Sequence, residues 1–143
     1  MKEFFTKQVA NEGIKLPLIR PSDGSETAHW LQIRGIDSDA YHRATRRYKS
    51  ELPDIAATIA SIDDEAKRLD FTDSARSEQE VKLMASLVAG WSFDEPCTEE
   101  NVIEFLTQAP QVSDAIDKIA GKRSRFFTNN SASLKSSPEA NLS

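Results

Sequence analysis

HWLQIRGIDSDAYHRA, residues His29–Ala44, holds the change of period that decides the fold. Its first half belongs to AHWLQIRG (28–35), a β-favouring run, and IKLPLIRP (14–21) upstream is a second. Between them SDGSET supplies Ser, Asp and Gly, the residues of a turn, so the pair predicts a β-hairpin. Pro17 has no N–H for a ladder, which places the first strand at a sheet edge or breaks it there. From Asp37 the period becomes helical. Asp37 or Ser38 can cap a helix on which Tyr41, Ala44 and Tyr48 share a face, and Pro53 is expected to limit it.

Working outward, Ile55, Ile59, Ile62, Ala66 and Leu69 are spaced four, three, four and three, a narrow apolar stripe that predicts the cleanest amphipathic helix of the chain. DFTDSAR (70–76) reads as a connection, and Ser77 with Glu80 fits a capping box for a helix presenting Val81, Met84, Leu87, Val88 and Trp91. After SFDEP, Thr98 can cap a short helix with Val102, Phe105 and Leu106 inward, and Pro110 marks its boundary. A last helix uses Val112, Ala115, Ile116 and Ile119; either Gly121 ends it or KRSRFF adds a turn that docks Phe126 and Phe127. At the other end, residues 2–11 make a short helix carrying Phe4, Phe5 and Val9, with Gly13 placed to stop it. The expected fold class is mainly α, α+β by strict count: about five helices around one core with a small N-terminal β-hairpin. The stripes of 55–69 and 81–91 should be the centre of that core. Residues 1–127 form one domain, and 128–143, TNNSASLKSSPEANLS, have almost nothing to bury and read as a disordered tail.

The totals bound what such a domain can do. With 143 residues the chain suits a single core, and 38% hydrophobic with 29% charged residues is a soluble composition at its polar end. A net charge of -5 argues against bulk capture of nucleic acid or anionic membrane. Cys97 is the only cysteine, which excludes an intramolecular disulfide and a thiolate-rich metal site and makes a reducing cytoplasm the simplest compartment. MKEFFTKQVANEG lacks the apolar run of a signal peptide, and no segment approaches the roughly 18 apolar residues of a membrane span, so neither export nor membrane spanning is expected.

Chemistry finds little support in the pattern. Cys97 lies in DEPCTEE, where the acids would raise a thiol pKa and leave the nucleophile inactive. His29 and His42 fall on different elements without metal-ligand spacing, and the five glycines form neither a P-loop nor a dinucleotide fingerprint. No catalytic residue, cofactor or metal is therefore expected. Asp63–Asp64 and Glu99–Glu100 read as helix starts that complement the positive end of the dipole. Trp91 is expected in the core, alongside Leu87, Val102, Phe105 and Leu106, with its indole nitrogen on a backbone acceptor. The charge cluster HRATRRYK, with Arg43, Arg46, Arg47 and Lys49, reads as a solvated helix face or a docking surface for an acidic partner. A small nucleic-acid-binding regulatory protein using that helix is the alternative reading.

The order LPLIRPSDGSETAHWLQIRGIDSDAYHRA, then LVAGWSF, then TEENVIEFLTQAPQVSDAIDKIAGKRSRFF resembles the tail assembly chaperones of long, flexible-tailed bacteriophages, over about residues 14 to 127. The resemblance implies a mostly helical protein without catalytic activity, made in the host bacterial cytoplasm and not retained in the finished virion. It implies binding to the tape-measure protein and recruitment of tail-tube subunits. It also implies a longer form, arising by a minus-one ribosomal frameshift near the end of the shorter reading frame. Ser133, Leu134 and Lys135 could be encoded by a T-TTA-AAA slippery heptamer, and a Leu134 codon other than TTA would eliminate that position. Self-association is expected as well, since a protein that coats a long partner must line up in many copies.

Overall fold

The computed structural model describes residues 1–127. A 3-10 turn at Lys2–Phe4 precedes α1 (Lys7–Glu12), β1 (Ile14–Ile19), β2 (Glu26–Ile33), α2 (Asp39–Ala60), α3 (Glu65–Ala85), β3 (Val88–Trp91), α4 (Glu99–Gln108) and α5 (Pro110–Ala120). The architecture is mainly helical with a small antiparallel sheet near the N-terminus, as the change of period at Asp37 indicates. β1 pairs with β2 in the register Ile14 to Ile33 and Leu16 to Leu31. In the turn between them the Asp23 carboxylate accepts from the Ser25 N–H and hydroxyl at 2.9 and 2.7 Å, which holds its carboxyl below the ordinary range. β1 lies at an edge of the order β1-β2-β3, and its register shifts between Pro17 and Ile19, the behaviour expected of a strand that contains proline.

The third strand departs from the expectation of a helix running through Trp91. α3 stops at Ala85, and Val88–Trp91 turn into β3, which pairs antiparallel with β2 through Leu31 to Trp91 and Ile33 to Val88. The free edge of β2 offers unpaired backbone groups, and a segment carrying Val and Trp satisfies them. Arg34 reinforces the turn. Its N–H donates to the Leu87 carbonyl at 2.7 Å, and its guanidinium reaches the carbonyls of Ser86 and Val88 at 3.0 and 3.2 Å.

The helical hairpin is also partitioned differently from the sequence reading. Ser38 caps α2 as expected, accepting from the Tyr41 N–H, but α2 runs through Pro53 to Ala60. The connection lies at residues 61–64, where Asp64 accepts from the Lys67 N–H at 2.9 Å and starts α3. DFTDSAR and the Ser77/Glu80 pair therefore fall inside α3. Pro53 is exposed, so the hydrogen bond it removes from the helix leaves a carbonyl that water can serve. Pro53→Ala restores the donor, and after allowance for the greater entropy of the unfolded chain it should stabilise the domain by about 2 kcal/mol. A urea titration checks this: a lowered midpoint would mean that α2 does not continue through residue 53.

The stripe of 55–69 is not the centre of the core. It is divided between two helices, α2 buries no residue, and Leu69 is 59% exposed. The core instead gathers Leu31 and Ile33 of β2, Ala85, Leu87 and Val88 around the start of β3, Val102 and Leu106 of α4, and Ile116 and Ala120 of α5. Near the N-terminus the expected helix of 2–11 is broken, leaving Phe4 and Phe5 exposed, and Ala10 is the buried residue of α1. After Gly121, residues 123–127 make the further helical turn. Phe126 is buried close to Gly35, where an added Cβ would come within 3.2 Å of its ring. Arg123 clamps the turn to the start of α2, donating from Nε and Nη2 to the Asp37 carboxylate at 2.6 and 2.9 Å. That fork holds the Asp37 carboxyl below the ordinary carboxylate range.

Candidate functional site

Three places in the fold gather side chains that could do more than pack. The first surrounds Trp91, placed by β3 and the bend that follows. Its Nε1–H donates to the Glu95 carbonyl at 2.7 Å, and its ring meets Phe93 and Phe105 at centroid distances of 5.2 and 5.8 Å. Phe93 also lies 4.8 Å from the His29 ring, and His29 Nδ1 is 3.1 Å from Ser92 Oγ. Leu87, Val102 and Leu106 are buried beneath this group, whereas Trp91 and Phe105 are half-buried against it. Cys97 sits in the loop beyond. Partial desolvation raises its thiol pKa and Arg34 acts in the opposite direction, so the upward shift comes from desolvation and not from the acidic neighbours.

Because Trp91 is only half-buried, Trp91→Ala should cost less than the ~3–5 kcal/mol of a fully buried tryptophan, about 2 to 3 kcal/mol. Cys97→Ser should change little. Thermal melts of the two variants in the reverse order would contradict the packing described.

The second place is the exposed face of α2. Arg43, Arg46, Arg47 and Lys49 are all exposed, with Tyr41, Ala44 and Tyr48 half-buried on the opposite side. Arg47 is tied to Glu99 at 3.1 Å, which joins α2 to the first turn of α4. Thr98 caps that turn by accepting from the Asn101 N–H at 3.2 Å, and Glu99 and Glu100 fill it. His29 and His42 stay on separate elements. Among the described residues no group of three or more His, Cys, Asp or Glu is placed to hold a metal ion, and no helix is long and apolar enough to cross a membrane.

The third place is an open groove of about 860 Å³ where α3, α4 and α5 meet, closed at one side by Tyr41 of α2. Val81 and Met84 of α3 and Ile103 and Leu106 of α4 make its apolar floor. Glu78 and Glu80 of α3 and Asp114 and Asp117 of α5 bring four carboxylates to it, and no Lys, Arg or His lines it. All four acidic residues are exposed, and among the described residues none of them is in an ion pair. Sequence reasoning did not find this site. Glu80 reads as a cap when α3 is started at Ser77, and the four acids belong to helices far apart in sequence. The spacing of Asp114 and Asp117, three apart behind the helix-starting Pro110, was the available signal, and it gains meaning only beside α3.

Ser133, Leu134 and Lys135 lie outside the described residues, as does the whole expected tail of 128–143. A family model described as phage tail assembly chaperone matches residues 19–119. No curated protein and no solved structure matches the chain.

Proposed function

Because the chain belongs to the phage tail assembly chaperone family, we propose that it binds the phage tape-measure protein, keeps that long chain soluble and recruits tail-tube subunits as the tube polymerises. It acts by binding and not by catalysis, in the host cytoplasm, and leaves before the virion is complete. The observation that best supports this reading is the groove between α3, α4 and α5, an apolar floor open to solvent on a surface otherwise rich in charge. A concave apolar floor with polar groups at its margin is the form of site that seats another molecule's side chains. A second, longer product made by frameshifting at Ser133, Leu134 and Lys135 would carry the same groove on a different C-terminal extension.

Co-expression provides the test. The tape-measure protein of the same phage should be found in the soluble fraction and co-purify when this chain is present, and should aggregate when it is not. Failure of both the short and the frameshifted forms to bind either the tape-measure or the tail-tube protein would sink the proposal. The alternative of a nucleic-acid-binding regulator rests on the exposed Arg43, Arg46 and Lys49 beside the engaged Arg47. It requires DNA binding that weakens steeply with salt and is lost on Arg46→Ala, and an unchanged DNA mobility at low salt removes it.

A further inference from the structure

We propose that the groove takes one amphipathic α-helix of a partner protein, with apolar anchors on one face and Lys or Arg along both edges of that face. This rests on the reading of the chain as a protein-binding chaperone and specifies the chemistry of what that site holds. The dimensions fit a helix: the lining residues of α3 run from Ser77 to Met84, two turns or about 10 Å, enough for anchors at i, i+3 or i+4, and i+7. The floor suits such anchors, since Met84 is pliable and Val81 and Ile103 are half-buried with apolar surface left uncovered.

The rim decides the sign of the occupant. Glu78 and Glu80 on one helix and Asp114 and Asp117 on another all line the site, no cation lines it, and among the described residues none of the four is neutralised by an ion pair. A helix with acidic edges would set like charge against this lining, whereas one with basic edges would complement it. A second copy's α2 fits poorly, because Tyr41, Ala44 and Tyr48 on its apolar side are already half-buried within their own protomer.

The experiment uses the full chain and synthetic probes: a fluorescent helical peptide of about 20 residues, long enough to hold its helix, with leucines at the anchor spacing and lysines along both edges, and its counterpart with glutamates in place of the lysines. Fluorescence anisotropy at low salt should show the lysine peptide binding at least about ten-fold more tightly. The double variant Glu78→Lys with Asp114→Lys changes only exposed side chains, so its fold should survive, which circular dichroism checks. It should abolish or invert the preference, whereas Arg46→Ala on the far face of α2 should leave it intact. Equal affinity for the two peptides, or a preference that survives the double reversal, overturns the inference. Self-association that the double reversal disrupts, with no peptide preference in the parent chain, assigns the groove to a second copy and also overturns it. Co-purification of the tape-measure protein is measured on the same variants. Its presence without peptide preference retains the chaperone reading and discards the helix; its absence beside a clear, groove-dependent preference does the opposite.

Discussion

Gly13→Ala is expected to lower stability by about 3 kcal/mol or more and the melting temperature by roughly 10 °C or more. Gly13 ends α1, its N–H donating to the Val9 carbonyl at 2.9 Å, and delivers the chain directly into β1. To do both it adopts φ +81° and ψ -178°, a region that only glycine occupies without strain. A Cβ there would lie 2.4 Å from the Ile33 carbonyl oxygen and 3.0 Å from its carbon. The obstacle is backbone of the central strand, so no rotamer change relieves it. Either β1 moves away from β2 and the Ile14 to Ile33 pairing is lost, or α1 unwinds. Gly24 provides the comparison: its φ is +74°, but nothing lies within 4 Å of where its Cβ would be. Gly24→Ala should therefore cost only the conformational term, about 1 kcal/mol. Equal losses in the two variants would show that the close approach to β2 does not exist.

Much of the local structure is legible in the sequence because its causes are local. The β-hairpin, the caps at Ser38 and Thr98, the acids of the first turn of α4 and the start of α5 at Pro110 each depend on residues a few positions apart. What misleads is what the rest of the chain decides. Val88 and Trp91 continue the spacing of Val81 and Met84 and so look helical, yet β2 recruits them across more than fifty residues. Pro53 looks like a stop, yet it stays exposed on a helix that meets α3 along another side. Asp63–Asp64 reads correctly as a helix start, and Asp64 does cap α3, but the regular spacing across it gives the 55–69 stripe a false unity.

The groove is the least legible feature. Its floor and rim come from separate helices, and the same carboxylates that define it read singly as ordinary surface charge. The family resemblance, by contrast, depends on the order of motifs along the chain and not on correct element boundaries. It therefore extends over about 14 to 127 whatever the division of the helices, and the family match covers 19–119.

Leu31→Ala and Leu69→Ala remove the same atoms and should differ widely in effect. Leu31 is fully buried on the central strand, facing Leu16 on one side and Trp91 on the other, inside the cluster that includes Leu87, Leu106 and Ile116. Its truncation leaves a cavity walled by both strands and helices, which can collapse little, so a loss toward the upper part of the ~2–5 kcal/mol range is expected. Leu69 belongs to the stripe that the sequence places at the core, but at 59% exposure its truncation should cost under about 0.5 kcal/mol. Chemical denaturation of the pair thus asks which part of the chain builds the core, and a larger loss at Leu69 would return it to the α2–α3 hairpin. The answer bears on function. α3 and α4 reach the groove from elements anchored on the sheet side, at Ala85, Leu87, Val102 and Leu106, and it is this packing that holds Met84 and Ile103 open to a partner. At a temperature where both variants remain folded, Leu69→Ala should bind the lysine-edged peptide as the parent does, and Leu31→Ala should bind it more weakly, by loosening the floor and not by touching the ligand.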